Sequence, residues 1–236
     1  MTLKMTGGEA LKRLASLPSF SSGSKGFDQI LGGGLRSGRV VEVFGKSNSG
    51  KTQLAMQATL MVAGAGRTAV FIDCEGTFRP ERVERMAKAR GQDVRGLLDR
   101  IEYLRVRTAA AQADAVRALA KSKETSQAVL VVLDTFTRNF SLDYPGRANL
   151  PRRQGALDVH LSEIARDAFL NGRAYLLANR VTFSQTAGET RIGGRTMEQL
   201  VHMSLHLERD RGETKITDVS DGRSLSLGTI SDRGFD

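Results

Sequence analysis

One octapeptide constrains this chain more than anything else in it: Gly45-Lys46-Ser47-Asn48-Ser49-Gly50-Lys51-Thr52 satisfies G-x-x-x-x-G-K-[ST]. A β-rich run, Val40 to Phe44, feeds into it, and helical composition from Lys51 to Ala63 follows. Strand, glycine-bearing turn and helix in that order make a phosphate cradle. The glycines let backbone N–H groups turn inward around anionic oxygens, and the helix N-terminus adds its dipole. In such a cradle Lys51 reaches the terminal phosphates of ATP, and the Thr52 hydroxyl ligates Mg2+. A chance match on a glycine-rich turn would lack the flanking strand and helix.

The rest of the chain alternates in the same way. Apolar runs at Thr68 to Asp73, Ile101 to Val106, Ala128 to Asp134 and Arg173 to Ala178 read as strands. Pro80 to Arg90, Ala109 to Lys121 and Pro151 to Leu170 read as helices between them. This spacing predicts an α/β fold, a mostly parallel sheet flanked by helices. Val201 to Glu208, Thr214 to Val219 and Ser224 to Ile230 alternate and predict an antiparallel C-terminal edge. Residues 1–22 read as a short N-terminal segment and linker, with Leu11 and Leu14 on one helix face and a connecting stretch at Ser19 to Ser24. Residues 23–236 form the core.

Two carboxylates complete the nucleotide chemistry. Asp134 closes the run Val129 to Leu133, where an acid supports the magnesium shell; an Asp in that place also serves as a turn cap. Glu75, in Asp73-Cys74-Glu75-Gly76, ends the strand that follows the phosphate-loop helix. It therefore opens at the same sheet edge, placed to polarise a water against the γ-phosphate as a general base. Its alternative is an exposed loop acid. Cys74 reads as a small buried side chain, and one cysteine leaves no disulfide framework. With no run of the about 20 apolar residues a membrane span needs, and no apolar leader, a cytoplasmic protein without membrane contact is expected. Lys and Arg number 35 against 26 Asp and Glu, a net charge of +9. That suits a polyanionic partner, or simply a solvated basic face.

At Glu75-Gly76-Thr77-Phe78-Arg79-Pro80-Glu81-Arg82 the chain resembles the ATPase core of the archaeal and eukaryotic RecA-type recombinases. Further stretches match in order: Gly23 to Asp28 with Leu31 to Gly34, the phosphate loop running into Gln53, Tyr144 to Gln154, Asn179-Arg180-Val181, Ile192-Gly193-Gly194 and Arg211-Gly212-Glu213. The resemblance covers roughly residues 20–236 and implies a RecA-type P-loop NTPase core. It also implies that residues Gly45 to Gln53 bind ATP, that Arg82 lies over the adenine, and that Thr52 and Asp134 serve the metal. Asp143 to Arg153 resembles a first DNA-facing loop, in which Arg147, Arg152 and Arg153 contact phosphates; a solvated basic helix start is the alternative. Thr182 to Arg191 resembles a shortened second loop, kept basic by Arg191 and Arg195. There Phe183 stacks on a base or tucks onto the core.

Departures from the family pattern direct the expected function. The position after Asn179, where the full recombinases carry a γ-phosphate-sensing Gln, is Arg180. Residues 1–25 contain no Phe-x-x-Ala docking motif and no helix-hairpin-helix domain, and Asp218 to Arg223 lacks an Asp-x-Pro cap. The chain is thus similar to the archaeal RadB-type paralogues. This implies an accessory protein of homologous recombination and DNA repair, binding single-stranded or branched DNA with weak ATPase activity. A full-length RadA-type recombinase is the expected protein partner, and long filaments are not expected. The alternatives are a strand-exchange recombinase that filaments by other contacts and a KaiC-like regulatory ATPase.

Overall fold

A computed structural model describes residues 4–121, 127–184 and 188–236. In chain order its elements are α1 (Gly7–Ser16), β1 (Ser19–Phe20), α2 (Lys25–Ile30), β2 (Leu35–Arg36), β3 (Val40–Gly45), α3 (Lys51–Gly64), β4 (Thr68–Asp73), α4 (Pro80–Ala89), β5 (Ile101–Arg105), α5 (Ala109–Lys121) and β6 (Ala128–Asp134). There follow α6 (Arg138–Asp143), α7 (Leu150–Asn171), β7 (Ala174–Ser184), β8 (Gly188–Arg191), α8 (Gly194–Leu200), β9 (Met203–Asp210), β10 (Glu213–Asp218) and β11 (Ser224–Thr229).

Among the described residues nine strands form one sheet, in the order β11-β10-β9-β3-β7-β6-β4-β5, with β8 paired to β7 off that path. From β3 to β5 every pairing is parallel. The strands of this centre are apolar on both faces because helices cover both faces. On β6, Leu130 and Val132 face one core with Leu54, Leu60, Val83 and Met86 of α3 and α4; Val131 and Leu133 face the other with Val116, Leu161 and Ile164 of α5 and α7. The fold is the α/β sheet expected, antiparallel at its C-terminal edge through β9, β10 and β11. One pairing differs from a purely antiparallel edge: β9 lies parallel to β3 before the sheet reverses.

The Ser-rich stretch that reads as a connecting segment is fastened on both sides. Ser19 and Phe20 pair with Arg36 and Leu35. Asp28 accepts the Ser22 N–H at 2.8 Å and the hydroxyls of Ser21 and Ser22, and Ser22 and Ser24 are buried. A carboxylate six residues downstream turns a polar run into an ordered turn. Helix α1 starts on a capping box between Thr6 and Glu9. It is held to the body by Arg13, which donates to the carbonyls of Phe169 and Leu170, while Leu11 stays 70% exposed. Among the described residues no helix is long and apolar enough to cross a membrane.

Candidate functional site

The parallel strands deliver β3, β4 and β6 to one carboxyl edge, and the candidate groups meet there. Gly50 opens α3 in the left-handed region at φ 100°, and a Cβ on it would lie 2.6 Å from the Phe235 ring. Only glycine meets both demands. Lys51 is 7% exposed. Its Nζ donates to the Gly45 carbonyl at 2.9 Å, the Lys46 carbonyl at 2.6 Å and Ser49 Oγ at 3.1 Å. Burial pushes the ammonium down to about 8; nearby Asp134 opposes the shift and Arg180 adds to it. A buried cation held by neutral acceptors, next to a helix N-terminus, fits a phosphate group.

The residues also fit a divalent cation beside that phosphate. Thr52 Oγ1 donates to Asp134 Oδ2 at 2.6 Å, and Thr77 Oγ1 does so at 3.2 Å. Asp134 is 1% exposed, and burial pushes its carboxyl above the usual range against the opposing hydrogen bonds of Thr52, Thr77 and Thr135. Among the described residues no group of three or more His, Cys, Asp or Glu side chains stands ready as a metal cage. One hydroxyl and one carboxylate are the donor set of a Mg2+ that takes its remaining ligands from phosphate and water.

Glu75 reaches this edge through a turn built by Asp73, whose role sequence reasoning missed. Asp73 Oδ1 accepts the N–H groups of Glu75 at 2.9 Å, Gly76 at 2.6 Å and Thr77 at 3.3 Å; Oδ2 accepts that of Phe78 at 3.2 Å and the Tyr103 hydroxyl at 3.1 Å. An Asp closing a strand before a Gly carries the signal for such an Asx turn, but only the fold shows how many donors converge on it. The Glu75 carboxylate faces the guanidinium of Arg180, has Arg138 Nη1 at 3.7 Å and lies 2.8 Å from the Thr135 hydroxyl. Arg138, in the first turn of α6, is a second residue that sequence reasoning missed. Cys74 is buried as expected, its thiol raised by burial.

Arg82 does not stand open toward a base. Its Nε donates to Gln53 Oε1 at 2.9 Å, and its other nitrogens donate to the carbonyls of Ser231 and Asp232. The segment after β11 thus lines the same edge, where Phe235 is buried and its backbone bonds the Gln57 amide on both sides.

Of the residues expected to meet DNA, Arg147, Arg152 and Arg195 are exposed, and Phe183 is 78% exposed and off the core. Arg153 is half-buried and donates to the Tyr144 carbonyl. Arg191 is corrected by the structure. Its guanidinium, 9% exposed, pairs with Glu42 at 3.1 Å and Glu198 at 2.8 Å, bonds Ser204 Oγ at 2.6 Å and lies over the Phe44 ring. Glu42 is fully buried on β3, so its carboxylate draws this cation inward. The shortened second loop is likewise a hairpin: Val181 to Phe183 of β7 pair antiparallel with Glu189 to Arg191 of β8, and residues 185–187 lie outside the described residues.

The chain as a whole is similar to proteins of one family. A family model described as Rad51 matches residues 13–230. The meiotic recombination protein DLH1 of Candida albicans is 34% identical over 220 residues, spanning 87% of this chain and 68% of that protein. The DNA repair and recombination protein RadA of Ignicoccus hospitalis is 33% identical over 225 residues, spanning 89% and 69%.

Proposed function

Since the chain belongs to the Rad51 family, we propose that it is an accessory protein of homologous recombination and DNA repair, an ATP-dependent DNA-binding module of RadB type with weak ATPase activity. The observation that carries this reading is the shared sheet edge on which buried Lys51, the Thr52–Asp134 pair and Glu75 converge. The names of both relatives, a meiotic recombination protein and a DNA repair and recombination protein, support the cellular role.

In this reading the amides of residues 45–52 and the Lys51 ammonium hold the β- and γ-phosphates. Arg82 lies over the adenine once it releases Gln53 and the carbonyls of Ser231 and Asp232, with Gln53 beside the base. Thr52 and Asp134 hold Mg2+, which supplies charge neutralisation for the departing diphosphate. Glu75 orients and deprotonates the attacking water. Helix α6 follows the carboxyl end of β6, and α7 runs back to the start of the parallel strand β7. Arg147 in the link and Arg152 in the first turn of α7 therefore lie toward the nucleotide end of the sheet. Together with Arg195 and Phe183 they offer a strand of DNA phosphate contacts and one exposed ring. The accessory role rests on Arg180 in place of an amide, since guanidinium donates but cannot accept as a water-positioning group must.

The test is DNA binding with and without ATP across a salt series, followed by a D-loop assay. The proposal requires ATP-strengthened, salt-sensitive binding to single-stranded DNA without strand exchange by the protein alone. D-loop formation would establish the recombinase alternative. Absence of DNA binding at low salt would favour the regulatory ATPase.

A further inference from the structure

A general base must offer a free lone pair to the water it activates, at roughly 2.6–3.2 Å. At Glu75 both oxygens are engaged. Oε1 accepts from the Arg180 guanidinium with Arg138 Nη1 behind it at 3.7 Å, and Oε2 lies against the Thr135 hydroxyl at 2.8 Å. Neither guanidinium can give up a proton. The Glu75 side chain is 18% exposed, so little solvent reaches it past these partners. Arg180 is also placed firmly: its N–H donates to Asn179 Oδ1 at 2.8 Å and its carbonyl accepts the Ile192 N–H at 3.0 Å. Asn179 is in turn fixed by Glu42 and Thr137. The phosphate cradle does not share these bonds, because Lys51 is anchored on Gly45, Lys46 and Ser49.

We propose that Arg180, seconded by Arg138, is a built-in brake on hydrolysis: the pair occupies the Glu75 carboxylate while leaving the cradle free to bind nucleoside triphosphate. This rests on the reading of residues 45–52 as the ATP site and Glu75 as its base. In the reaction held back, a water oxygen bonds the γ-phosphorus while its proton passes to Glu75. The bond from that phosphorus to the bridging oxygen breaks, and ADP leaves with the electron pair, giving ADP and phosphate. Two cations beside Glu75 lower its basicity and hold the carboxylate toward themselves, so proton transfer slows and the site serves occupancy more than turnover.

The 236-residue wild type, Arg180→Gln, Arg180→Lys, Arg138→Ala and the Arg138→Ala/Arg180→Gln double variant are compared for phosphate release at saturating ATP and Mg2+. ATP and ADP affinities are measured separately by calorimetry. The brake requires kcat to rise on the order of tenfold in Arg180→Gln and further in the double variant, a part of the roughly 100-fold or more that a general base contributes. Arg180→Lys, which keeps the cation, stays slow, ATP affinity moves by less than about threefold, and adding Glu75→Gln abolishes the gain. In the nucleotide-free protein the melting shifts of Glu75→Gln and Arg180→Gln are non-additive, as for two groups that bond each other. An unchanged or lower kcat, or additive melting shifts, would overturn the brake. So would a tenfold loss of ATP affinity with ADP affinity intact, since Arg180 would then be a γ-phosphate ligand. Lys51→Ala separates the premise from the proposal: wild-type ATP binding in that variant removes the site itself, whatever Arg180→Gln does.

Discussion

At Lys51 a buried ammonium has three neutral oxygen acceptors and, among the described residues, no ion-pair partner. A bound phosphate would supply one. Lys51→Ala should therefore weaken ATP binding on the order of 10–100-fold, the span of a hydrogen bond to a charged group, as read by calorimetry. The same residue gives the binding a pH signature. Its pKa of about 8 in the empty site rises when a phosphate joins it, so binding takes up a proton above that pH. Affinity should be level below pH 8 and fall above it, approaching tenfold per unit; a flat profile to pH 10 would contradict the assignment. Lys51, Asp134 and Glu75 were legible in the sequence because each is fixed by local order, a motif or a strand end. Arg138 and Arg191 were not. Arg138 carries no motif, and Arg191 reads as basic loop until the buried Glu42, far upstream, is placed beside it.

Among the elements, the α6–α7 link, the first turn of α7, the β7–β8 hairpin and α8 carry the proposed DNA surface, and they separate two kinds of arginine. Replacing Arg147, Arg152 and Arg195 with Ala should weaken DNA binding and flatten its salt dependence, as lost phosphate contacts do. Arg191→Ala should instead lower fold stability by about 3 kcal/mol, because it strands Glu42 without its cation. Urea unfolding and a salt series on the same two proteins decide this. Helix α7 holds a second test. His160, stacked against the rings of both Phe136 and Phe140 with Gln112 Nε2 at 3.3 Å, is pushed down to about 4 by burial and by Arg117. The unfolded chain binds that proton from pH 6.5 downward and the folded one does not, so stability is present above 6.5 and is lost as pH falls toward 4. The loss is roughly 3 kcal/mol, and His160→Phe should remove it. Parallel acid curves for the two proteins would rule this out. Most helices and central strands were legible because their periodicity is local. The hairpin was not, since its strand residues stand in a polar stretch of sequence that reads as loop.

For the molecule as a whole, the parallel centre followed from alternation of strands and helices, but the order of strands did not. The parallel seating of β9 against β3 brings His206 onto the Phe44 ring at 4.9 Å and sets the β9–β10 hairpin beside the phosphate loop. No local pattern announces a partner about 160 residues away. The segment after β11 closes the arrangement by seating Phe235 under Gly50 and lending carbonyls to Arg82. Phe235→Ala should cost about 3–5 kcal/mol through the cavity it opens, and should loosen nucleotide binding through the Gly50 contact. A crystal of the protein with a non-hydrolysable ATP analogue and Mg2+ tests the central claim most directly. The account predicts a triphosphate against the amides of residues 45–52, the metal on Thr52 and Asp134, and Glu75 beside the γ-phosphate with Arg180 still on its carboxylate. A nucleotide bound elsewhere, or a cradle left empty at saturating analogue, would contradict it.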